Sequence, residues 1–109
     1  MSAIAGIPIL VEPEASARIA ELGMQKEFEL QLDQARRMIP ELQQIHVTLG
    51  PPYDMGDEPR IVIEAWRGGT MQDHNQTRDQ WIRWEIETFP PDVLRHFTTL
   101  IFLGSPDAR

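Results

Sequence analysis

His46, His74 and His96 are the first residues of this 109-residue chain to test for chemistry, because imidazole titrates near neutral pH, moves protons and ligates metals. No two of them share the i, i+4 spacing that sets a ligand pair on one helix face, so no metal is expected. Asp73-His74 places an acid beside a base in a polar stretch, with Thr70 and Thr77 as the nearest hydroxyls. No nucleophile-elbow pattern surrounds them. Asp54, Asp57 and Glu58 gather around Gly56, an oxygen-rich set of the kind calcium takes. Their spacing departs from an EF-hand loop, and Pro51, Pro52 and Pro59 read as a rigid turn. Gly68-Gly69 is too short to cradle a phosphate, and no cofactor is expected. What survives is a polar site near Asp57, Asp73 and His74, which would suit a small enzyme or ligand-binding protein.

A second set of residues suits contact rather than catalysis. Trp66, Trp81 and Arg83 belong to the residue types that anchor protein interfaces. Strict alternation runs through Trp81-Ile82-Arg83-Trp84-Glu85-Ile86-Glu87 until Pro90-Pro91 stops it, which predicts a half-buried strand. That parity turns Ile82, Trp84 and Ile86 to the core and Trp81 and Arg83 outward. The outward side also carries Gln44, His46, Thr48, Val62, Glu64 and Trp66 from two further strands. The expectation is a protein-binding surface of Trp66, Trp81 and Arg83.

Positioning these groups requires a fold with at least one sheet and a helix layer. Ala3 to Val11 is apolar but broken by Gly6 and Pro8, and reads as an edge strand or an extended arm. Glu12-Pro13-Glu14 opens a helix with Ala15, Ile19 and Leu22 as its stripe, and Gly23 closes it in a Schellman pattern that pairs Ile19 with Met24. Phe28, Leu32, Ala35 and Ile39 carry a second helix over about Gln25 to Met38, ahead of Pro40. Period two returns from Gln43 to Leu49 and from Arg60 to Arg67, with Gly50 to Pro59 as the loop between them. Gly68 to Thr77 reads as a second loop, leading to the strand at Trp81. After Pro91, Val93, Leu94, Phe97, Leu100 and Ile101 fall at helical spacing, while residues 98–103 also suit a terminal strand.

The sum is a single α+β domain over residues 1–109. It is a two-layer sandwich of N-terminal helices, a three-stranded antiparallel meander and a C-terminal helix, with an N-terminal edge strand as an open option. A helix, three-strand meander and helix is also the element order of double-stranded RNA-binding domains. Those domains place basic residues at the start of the last helix, where this chain has Pro90-Pro91-Asp92, so the similarity implies no function.

Composition narrows the classes further. With no cysteine there is no disulfide framework, thiolate nucleophile or thiolate zinc site. Seventeen acids against ten bases give a net charge of −7, a field that repels nucleic-acid phosphate backbones and either favours a basic partner or simply keeps the protein soluble. No apolar run reaches the roughly 20 residues of a membrane span, and residues 1–11 lack a basic leader, so a cytoplasmic location is expected. Nine arginines to one lysine point to a GC-rich bacterial genome. The function expected is a protein-interaction module, regulatory or sequestering, whose partner is a basic protein or a second copy of itself.

Overall fold

The computed structural model describes residues 7–50 and 59–104. Eight elements follow in order: β1 (Ile9–Val11), α1 (Pro13–Leu22), α2 (Gln25–Met38), β2 (Leu42–Leu49), β3 (Ile61–Arg67), α3 (Met71–Thr88), α4 (Pro91–Leu94) and β4 (Phe97–Leu103). The strands lie side by side in sequence order. β1 runs parallel to β2, β2 antiparallel to β3, and β3 parallel to β4. The fold is α+β, but its sheet is mixed and four-stranded rather than a three-stranded meander.

The first half follows its local signals. Pro13 stands in the first turn of α1, where its missing N–H costs nothing. Gly23 adopts φ 68° and ends the helix with Gly23 N–H donating to Ala20 O and Met24 N–H to Ile19 O, both at 3.1 Å. That is the Schellman closure, and Ile19 and Met24 both join the core. β1 is the N-terminal edge strand, held by Ile45 N–H to Pro8 O and Glu12 N–H to Val47 O.

The second half departs from the alternation reading. Trp81 to Thr88 is not a strand but the end of the 18-residue helix α3, and most of the expected loop at Gly68 to Thr77 is its beginning. Two helical stripes are interleaved there. Trp81 and Trp84, three apart, turn inward, whereas Ile82 and Ile86, four apart, turn outward and are 49% and 66% exposed. Read in a line, the two stripes imitate a period of two. Thr70 caps the helix by accepting the Asp73 N–H at 3.2 Å, and Phe89-Pro90-Pro91 ends a helix rather than a strand.

The expected C-terminal helix is likewise corrected. Only the single turn α4 forms, and β4 takes residues 97–103, where Thr98, Thr99, Ile101 and Phe102 favour extended backbone.

Strand parity divides the sheet into two faces. Ile45, Val47, Ile61, Ile63, Ala65 and Phe97 point to the helices and form one core with Ala15, Ile19, Phe28, Ala35, Ile39, Trp81 and Val93. All helices therefore cover one face, as a two-layer sandwich requires. The strands advance in one direction while the second parallel pair is reversed, so the two crossovers must differ in hand. One of them is left-handed, a connection that sheets seldom use.

Candidate functional site

Two polar clusters lie on opposite faces of this sheet. The helix-covered one centres on Arg67, the last residue of β3, whose side chain is fully buried. Its Nε donates to Gly68 O at 2.7 Å, Nη1 to Thr77 Oγ1 at 2.7 Å, and Nη2 to Asp73 Oδ2 at 3.0 Å. The Thr77 hydroxyl in turn donates to Asp73 O at 2.9 Å. Gly69 makes room: at φ 107°, a Cβ there would lie 2.6 Å from Arg67 Nη2. This cluster ties the end of β3 to the first turn of α3, and Asp73 is committed to it.

His74 sits beside that cluster and is itself buried. Burial, then the charges of Arg67 and Arg78, hold its pKa below the ordinary histidine value, so the ring stays neutral. Two turns further along the buried face, the Trp81 indole is 2% exposed and its centroid lies 4.9 Å from that of Trp84. Glu85 faces Trp81 and Thr99 of β4, and burial raises its carboxyl pKa while those two polar groups oppose the rise. Neither Trp81 Nε1 nor Thr99 Oγ1 completes a hydrogen bond of good geometry, so the contact with Glu85 is a loose one.

The helix-free face carries the second cluster. His46 of β2 stands opposite Glu64 of β3, and Glu12 reaches it from the junction of β1 and α1. His46 Nε2 and Glu12 Oε2 are 2.8 Å apart. A carboxylate can only accept, so the ring nitrogen donates. Nδ1 then faces Glu64 Oε1 at 3.6 Å, beyond good hydrogen-bond reach. All three side chains are part-exposed, at 27%, 40% and 26% for His46, Glu12 and Glu64. Beside them Trp66 stacks on Phe102 with ring centroids 4.5 Å apart, and Leu10 and Leu100 leave this face 55% and 40% exposed.

The residues expected to share one contact surface are dispersed. Trp66 does lie on the helix-free face, though only 6% exposed, whereas Trp81 is in the core on the other side of the sheet and Arg83 is on the outer side of α3. The joint surface depended on a strand at residues 81–89 and falls with it. Of the alternative polar site, Asp73 and His74 adjoin Arg67, while Asp57 is outside the described residues. Among the described residues no group of three or more His, Asp or Glu is arranged to hold a metal. None of their helices is long and apolar enough to cross a membrane.

Parity of β2 and β3 already placed His46 and Glu64 together on the outer face. Glu12 had no such signal, because its approach depends on β1 pairing in parallel with β2. No family model matches the chain, and neither the curated proteins nor the solved structures contain a significant match.

Proposed function

We propose that this chain is a protein-interaction module that presents its helix-free sheet face to a basic segment of a partner protein. The observation that carries the reading is the juxtaposition there of Glu12 and Glu64 with the Trp66–Phe102 stack and the exposed Leu10 and Leu100. Leu10, Leu100 and the half-buried Phe102 supply apolar area, and part-exposed carboxylates supply charge. Glu64 makes no tight bond to His46, which leaves an oxygen for an incoming guanidinium or ammonium group. The overall charge of −7 steers such a partner toward the module.

Affinity capture from the native host with the wild-type chain and with the Glu12→Lys/Glu64→Lys variant tests this. The wild type should retain basic proteins that the variant loses, and each captured protein should bind the purified wild type more weakly as salt rises. Equal retention by both chains, or salt-independent binding, contradicts the proposal.

A further inference from the structure

A separate surface has its own geometry: the outer edge of β4. Ile61 N–H donates to His96 O and Gly104 N–H to Arg67 O, which fixes the even-numbered residues of this stretch toward β3. The main-chain N–H and C=O groups of Phe97, Thr99, Ile101 and Leu103 therefore point away from the sheet, with no further strand beyond them among the described residues. β4 is seven residues long, and within these residues it carries no charge, proline or bulge to blunt the edge.

We propose that β4 pairs antiparallel with β4 of a second copy of this chain, with the twofold axis at Leu100, joining two sheets into one of eight strands. This register uses the whole strand. Phe97 and Thr99 pair with Leu103 and Ile101 of the other copy, in each case with both members aiming their main-chain groups across the junction, for about eight hydrogen bonds in all. Leu100 meets its own copy in a closely spaced pair without hydrogen bonds, and Thr98 lies opposite Phe102. Because the strand is uncharged, two chains of charge −7 meet there without opposing acids.

The neighbouring helix fits the same axis. Glu85 of α3 faces Thr99, so the last turn of α3 lies level with the middle of β4. Glu85 and Ile82 lie on the flank of α3 that leads from β4 outward, away from the core side marked by Trp84. A twofold at that level turns Ile82 toward α3 of the second copy, while Arg83 and Glu87 lie on the opposite flank from Glu85. The exposed Ile82 is thereby covered.

Light scattering at a chain concentration of roughly 100 μM, well above a micromolar Kd, should give the mass of two chains for the wild type. Leu100→Lys should halve that mass while keeping the helical circular dichroism. An equal mixture of Leu100→Lys and Leu100→Glu should restore it, because the two substituted positions face each other. Since the chain has no cysteine, Leu100→Cys supplies a single thiol that should cross-link to its own copy on mild oxidation, whereas Glu29→Cys, exposed on α2, should not. A single-chain wild type, a folded Leu100→Lys variant that keeps the double mass, or no preferential cross-linking at position 100 overturns the proposal. The Leu100→Cys result decides the matter if the lysine variant does not fold. The Glu12→Lys/Glu64→Lys variant should remain a dimer, because neither residue lies on β4.

Discussion

The Arg67 cluster and the His46 cluster stand on adjacent strands of one sheet, yet they are built for different work. Arg67 is wholly buried, and its guanidinium donates to Gly68, Thr77 and Asp73. His46 is part-exposed, holds one carboxylate at 2.8 Å and leaves the other at 3.6 Å. A buried charge must be fully satisfied or the fold suffers, whereas a part-exposed one can keep unused capacity for a ligand. Side-chain satisfaction, more than residue type, separates the structural cluster from the candidate functional one.

The sharpest way to break this comparison is to truncate both centres. Arg67→Ala removes the clamp between β3 and α3 together with the packed stem of the side chain, and should cost about 3 kcal/mol in urea unfolding. A loss comparable to that of an ordinary surface substitution would show that the cluster is not structural.

His74 gives a smaller effect with a definite sign. Its folded-state pKa lies below the unfolded value of about 6.5, so as pH falls below 6.5 the unfolded chain binds a proton that the folded chain refuses. Stability conferred by the neutral ring is present above pH 6.5 and is lost as pH drops through the folded-state pKa. Melting temperature measured against pH should fall over that window in the wild type and fall less in His74→Gln. Parallel profiles would place the ring in a more solvated setting than its burial indicates.

The smallest effect on folding belongs to the opposite face. His46→Ala breaks a part-exposed pair with Glu12 and should change stability by less than about 1 kcal/mol. If it instead matched Arg67→Ala, the contrast between the clusters would collapse.

The two halves of the chain also differed in how openly their sequences declare the fold. α1, β2 and β3 each have one periodicity, and in α2, where Phe28, Leu30 and Leu32 also alternate, good helix formers and the stop at Pro40 favour the helix. In α3 a buried stripe and an exposed stripe interleave, and the local spacing of Trp81, Ile82, Trp84 and Ile86 reports neither alone. The Thr70 cap with Asp73 three residues later, followed by sixteen positions free of glycine and proline, marks a helix start ahead of that ambiguity. β4 fits both periods, and its pairing with β3 decided between them. Glu12 could join His46 only through the parallel register of β1, a long-range property that no local pattern encodes.

The central claim, that the helix-free face is where a partner binds, is tested most directly by amide chemical shifts of the isotopically labelled chain as a captured basic partner is added. Shifts should concentrate at Leu10, Glu12, His46, Glu64, Trp66 and Leu100, with Arg67, Asp73 and Thr77 little changed. Shifts confined to the helix layer, with the β2 and β3 outer-face positions unmoved, would contradict it.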